Sequence, residues 1–180
     1  MLNTPVVDRR EFLAAAALTA QQAGISAEQF SQPPVVDTHM HVWTPDVARW
    51  PYAHPYTDSF KAPQHAASYE ELIQDMDANG VTHAVLVQTI FHGWDNRYTL
   101  YCLRRNPDRF RAHGLIDPTD PRVAERFRYW VVRQGMQGMR FSPIYYRDGQ
   151  NGGDGWITNR AHHKMWRIAE RQQAVFNFFI

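Results

Sequence analysis

His39 and His41 stand one residue apart in the run Val36-Asp37-Thr38-His39-Met40-His41, and no other pair in the chain offers chemistry as pointed. Successive side chains of a strand point to opposite faces. Asp37, His39 and His41 are therefore expected on one face, and Val36, Thr38 and Met40 on the other. Two imidazoles on one rigid wall can grip one ion. Neutral imidazole nitrogen is the commonest protein ligand for borderline metals, and a catalytic zinc site combines about three protein ligands with a water. The alternative is a polar strand face whose histidines are satisfied by ordinary hydrogen bonds.

The same face argument selects further candidates. Gly138, Arg140 and Ser142 share one face of a later strand, and Arg140 lies toward its C-terminal end. There a guanidinium could fork onto a substrate carboxylate, or form a structural ion pair with a buried aspartate. Gln88 ends the second strand and could touch substrate or the second nitrogen of a ligand. His92 falls on the rim just after it, and Asn177 is expected to face inward on the last strand. Asp117, before Pro118, is read as a cap or turn residue. The other histidines are left outside the site: His54 and His65 in a loop, His83 before a strand, His113 alternating away from Ala112 and Gly114, and His162 and His163 on a helix.

These residues need a scaffold, and the chain beats time for one. Apolar, β-branched or aromatic runs fall near residues 35–42, 83–90, 110–117, 136–143 and 174–180, with helical patterns in most of the gaps. Helices are predicted over Tyr69 to Asn79, stopped by Gly80, and over Asp95 to Asn106, ended before Pro107. A third opens at Asp120-Pro121 and carries Val123, Phe127 and Val131. A fourth runs from Asn159 to Gln172, with Arg160, Lys164, Arg167 and Arg171 opposite Ala161, Met165, Ile168 and Ala169. Alternation of this kind predicts an α/β fold with parallel strands and crossover helices. Two long connections, 43–68 and 144–159, follow strands and are rich in aromatic residues. They serve either as a substrate wall or as surface decoration, and the glycines of the second permit a mobile lid.

Composition bounds the rest. The 180 residues suit one domain, and a hydrophobic content of 44% is enough for a core. A formal charge of +1 with mixed signs gives no electrostatic case for nucleic acid or an acidic membrane surface. The lone cysteine, Cys102, reads as a small core residue. Residues 1–32 read as an address and linker. Arg9-Arg10-Glu11-Phe12-Leu13 and the short apolar run after it resemble a twin-arginine export signal, too short for a membrane span, which implies a periplasmic location. The alternative is a cytoplasmic amphipathic helix.

The stretch from Pro33 to Asp46 resembles the opening of the amidohydrolase superfamily, most of all its amidohydrolase-related, lactonase-containing branch of TIM-barrel metal-dependent hydrolases. His83 to Gln88, Phe110 to Pro118 and Gly135 to Phe141 are similar to the same branch, in the same order. The resemblance implies that residues 33–180 form the first five strands of a (β/α)8 TIM barrel, and that the sequence is the front part of a longer one. It implies a divalent metal, zinc before others, held partly by His39 and His41, although some lactonases of this branch are thought to work without one. It implies a small-molecule substrate, a lactone or similar cyclic ester bearing a carboxylate, opened by activated water. Decarboxylase or hydratase chemistry, or an inactive half-barrel able to pair with another chain, are the alternatives. The catalytic aspartate of the family comes from a late strand, and that position is not among these residues.

Overall fold

A computed structural model describes residues 33–56, 60–61, 63, 65–145 and 160–179. The expected export signal and the glycine-bearing part of the second long loop lie outside the described residues. Five strands form one sheet in chain order: β1 (Val36–Met40), β2 (His83–Val87), β3 (Phe110–Leu115), β4 (Gly138–Phe141) and β5 (Val175–Phe178). Every neighbouring pair is parallel. Helices α1 (Tyr69–Ala78), α2 (Arg97–Arg105), α3 (Val123–Arg128) and α4 (His163–Gln172) fill the crossovers between them. The sheet curls into a half-barrel, the front part of a TIM-barrel architecture that the alternating pattern predicts.

Local sequence explains each helix. Ser68 accepts a hydrogen bond from the Glu71 amide at 3.2 Å while Glu71 accepts one from the Ser68 amide at 2.8 Å, a reciprocal cap that starts α1. Gly80, at φ +68°, turns the chain out of it. Helix α2 buries Leu100, Cys102 and Leu103. Burial also pushes the Cys102 thiol up to about 12, so it is an inert core group. Helix α3 is shorter than the pattern predicts. After Arg128 the chain widens into a π turn over Tyr129–Arg133, and this change of phase lets Phe127, Trp130 and Val131 all reach the core. Helix α4 buries Met165, Ile168 and Ala169, as its apolar stripe predicts.

The core lies between the helices and the convex face of the sheet, where Ala84, Leu86, Phe110, Ala112, Phe127, Met139 and Met165 pack together. Fully burying a side chain such as Leu86 or Phe110 stabilises the fold by roughly 1.5–3 kcal/mol. The complementary row faces inward: Val85 and Val87 on β2, Arg111, His113 and Leu115 on β3, Gly138 and Arg140 on β4, Val175 and Asn177 on β5. Asn96 braces the upper end of β3. Its amide donates to the Leu115 carbonyl and accepts from the Leu115 amide, both at 2.7 Å, so a side chain serves that residue as a neighbouring strand would.

Strand β1 departs from simple alternation. Asp37 is in register with Ala84 and Met40 with Leu86, so three steps along β1 span two along β2. This bulge moves Asp37 into the outward row, and its carboxylate accepts a hydrogen bond from the His39 amide at 3.0 Å. Asp37 therefore does not share the histidines' face, contrary to the expectation from strict alternation. An inserted residue leaves no mark in a hydrophobicity pattern.

Candidate functional site

His39, within the bulge, and His41, just past the end of β1, come together. The rings of His39 and His41 meet edge to face, with centroids 4.9 Å apart and planes at 86°. His41 follows the last residue of the strand and donates from Nδ1 to the Val87 carbonyl at 2.7 Å, which fixes its tautomer and leaves the Nε2 lone pair for another partner. A backbone anchor of this kind holds the far nitrogen of metal-binding histidines. Burial holds the His41 pKa below its ordinary value against the opposing pull of the Val87 hydrogen bond, and the charges of Arg140 and His39 add to the lowering.

A cavity of about 740 Å³ opens beside His39, lined among others by Thr38 from the bulge, Val85, Arg111, His113, Gln137 and Asn177; His41 is not part of its lining. His113 is the residue that sequence reasoning left out. It sits one strand over from Val87, its register partner, and is 7% exposed. Burial, then the charge of His39, holds its pKa low, so the ring is neutral near pH 7. A signal was present: Arg111 and His113 alternate with the core residues Phe110 and Ala112, which puts both on the inner row.

Arg140 and Asn177 are register partners on β4 and β5. The Arg140 guanidinium lies over the Phe179 ring, 4.8 Å from its centroid, and its Nε is buried with no hydrogen-bond partner. Among the described residues no carboxylate pairs with it. An unspent guanidinium donor on the inner face suits an anionic ligand.

Gln88 and His92 have a different setting. The Gln88 amide donates to the Asp95 carbonyl at 3.2 Å and accepts from the Thr99 hydroxyl, so both ends are occupied behind the rim. The His92 ring is 3% exposed, lies 4.9 Å from Tyr52 between ring centroids, and donates from Nδ1 to the Pro51 carbonyl at 3.1 Å. Neither lines the cavity. His92 instead pins the first long loop, whose aromatic residues pack on the turn after β2: Trp43 and Phe60 both meet Phe91, at 5.4 and 5.5 Å. That loop is closed at its base by paired backbone hydrogen bonds between Trp43 and Ala67. From the same loop, the Tyr56 hydroxyl donates to the Tyr145 carbonyl, just after β4.

Among the described residues no group of three or more histidine, cysteine, aspartate or glutamate side chains is placed to hold a metal. His39 and His41 offer a two-nitrogen half of such a site.

The profile of a protein family described as amidohydrolase matches residues 36–179. The chain belongs to that family. It is 32% identical over 124 residues to the 4-sulfomuconolactone hydrolase of Hydrogenophaga intermedia, a match covering 67% of this chain and 38% of that protein. Among solved structures it is similar to a probable 2-pyrone-4,6-dicarboxylic acid hydrolase from Acinetobacter baumannii with citric acid bound. That likeness has a TM-score of 0.60 and 22% identity, over 81% of this chain and 49% of that one. It is also similar to a manganese-containing 5-carboxyvanillate decarboxylase from Novosphingobium aromaticivorans, with a TM-score of 0.54 and 18% identity over 79% of this chain and 49% of that one. The amidohydrolase chain thus spans half or less of the length of these relatives.

Proposed function

We propose that this amidohydrolase forms the front wall of a hydrolase that opens a lactone or similar cyclic ester with activated water. One observation carries the reading: His39, which lines an inward cavity, meets His41 edge to face, with the Nδ1 of His41 already committed to backbone. The 32% identity to a lactone hydrolase supports ring opening over decarboxylation; likeness to the decarboxylase structure is one of fold.

The donor set fits a divalent cation as far as two imidazoles can. His39 and the Nε2 of His41 would hold it, and the ion, zinc by the chemistry of nitrogen donors, would supply Lewis acidity to a carbonyl and acidity to water. The residues of the chain do the rest. Arg140 and Asn177 orient a carboxylate-bearing substrate from the opposite strands, Arg140 through the Nε that has no protein partner.

The test is a comparison of 4-sulfomuconolactone, simple aldonolactones and aromatic carboxylates as substrates, with zinc content measured in parallel. Lactone opening is expected, with His39→Ala lowering kcat/KM by at least about 100-fold and lowering bound zinc as well. Hydrolysis indifferent to both chelator and His39→Ala overturns the proposal, as does decarboxylation without ring opening.

A further inference from the structure

We propose that His113 is a ligand-contacting residue of the cavity, a third imidazole that hydrogen-bonds a small carboxylate-bearing ligand together with Asn177 and opposite His39. This deepens the reading above and rests on its view that the cavity takes a small anion.

Three observations independent of one another carry it. The first is placement. His113 and Asn177 line the same cavity as His39, from β3, β5 and β1, so the three polar groups face one space from different strands. The second is an unmet bonding demand. His113 is 7% exposed, yet its Nδ1 is buried with no hydrogen-bond partner among the described residues. Buried polar side-chain atoms nearly always have a partner, and leaving one without costs about 1–3 kcal/mol. Every other described histidine as deeply buried has one: His92 bonds the Pro51 carbonyl and His162 the Pro118 carbonyl. The third is the space made for the ring. Gly138 is its register partner on β4, and a Cβ there would stand 2.9 Å from His113 Cδ2 and 2.1 Å from the Val175 carbonyl oxygen. The missing side chain leaves room for the imidazole where an alkyl group would otherwise press on it.

The chemistry follows from the ring being an imidazole. A neutral ring presents one N–H donor and one lone pair, so it can donate to a carboxylate oxygen while a hydroxyl or water donates to the other nitrogen. Asn177 adds an amide with the same dual capacity. The pair suits a planar ligand carrying carboxylate and ring oxygens, and the Arg140 guanidinium lies one register step above His113 on the same face.

The experiment uses the 180-residue chain, with 2-pyrone-4,6-dicarboxylate as probe. Side-chain nitrogens of histidine-labelled protein are followed by NMR during titration, and Kd is measured by calorimetry for the parent chain, His113→Phe and His113→Gln. Thermal melts confirm that each variant folds. The His113 ring signals are expected to move while those of His92 and His162 stay. His113→Phe should weaken Kd by about tenfold or more, and His113→Gln should recover most of the loss by restoring a donor and an acceptor. His113 signals unmoved by a bound probe, equal Kd for His113→Phe and the parent, or no probe binding at all overturns the inference. Its failure and that of the hydrolase reading are separable. Lactone opening that needs His39 and is unchanged in His113→Phe removes only the contact. Probe binding that needs His113 in a protein that opens no lactone removes only the hydrolase.

Discussion

His92 gives a pH-dependence whose sign can be worked out from its bonds. Its Nδ1 proton is used on the Pro51 carbonyl, and its Nε2 is buried without a partner. A second proton would therefore sit as an unsolvated charge, and burial accordingly holds the pKa below 6.5 despite the opposing effects of the Pro51 hydrogen bond and Asp95. The unfolded chain takes up a proton first as the pH falls. The stabilisation is thus complete above about 6.5 and is lost as the pH drops toward the folded-state value. His41 and His113, also lowered by burial, act in the same direction. The melting temperature is expected to fall from about pH 7.5 to about pH 5.5, above the range where Asp95 and Asp120 titrate, and His92→Gln should flatten the slope while keeping a donor for Pro51. An equal slope in that variant would assign the effect elsewhere. Residues differ in how well the sequence announces them. The His39 and His41 pair is legible because a period of two on a proline-bracketed strand is a local fact. His113 is harder to see because one histidine in an apolar strand matches a core residue equally well. The settings of Gln88 and His92 depend on Thr99, Asp95 and Pro51, and which groups they meet is decided by packing.

Among elements, the five strands and four helices are legible because each has its own period and punctuation. Their edges shift for tertiary reasons. The bulge in β1 re-aims Asp37 and the π turn after α3 rotates Trp130 inward, and both are single-residue changes of phase that composition does not register. The β4–β5 pairing depends on one residue without a side chain. A methyl group at Gly138 would meet the Val175 carbonyl oxygen, a backbone atom of the adjoining strand that cannot rotate aside. Gly138→Ala is expected to cost about 1–3 kcal/mol, read as a lower urea midpoint at unchanged m-value. A midpoint equal to that of the parent would show that β5 can withdraw at no cost.

At the scale of the whole molecule, the outer strands of the sheet are apolar. Val35 and Val36 beside β1 are 52% and 49% exposed, and Val175, Phe178 and Phe179 around β5 are 50%, 43% and 48% exposed. Outer strands of this composition template pairing with other chains, and a lysine there is the usual safeguard. The 180-residue chain is expected to associate with rising concentration in sedimentation velocity, and Val36→Lys to shift it toward the monomer. A parent chain that sediments as a monomer throughout would contradict this. The bond between the Tyr56 hydroxyl and the Tyr145 carbonyl joins residues 89 apart in sequence. A fastening so remote can close only after the intervening β/α units have docked, and it is tied to loop backbone rather than to a ladder. This fastening between rim loops is therefore assembled last and loosened first, so the loops can part while the interior stays shut to unfolding.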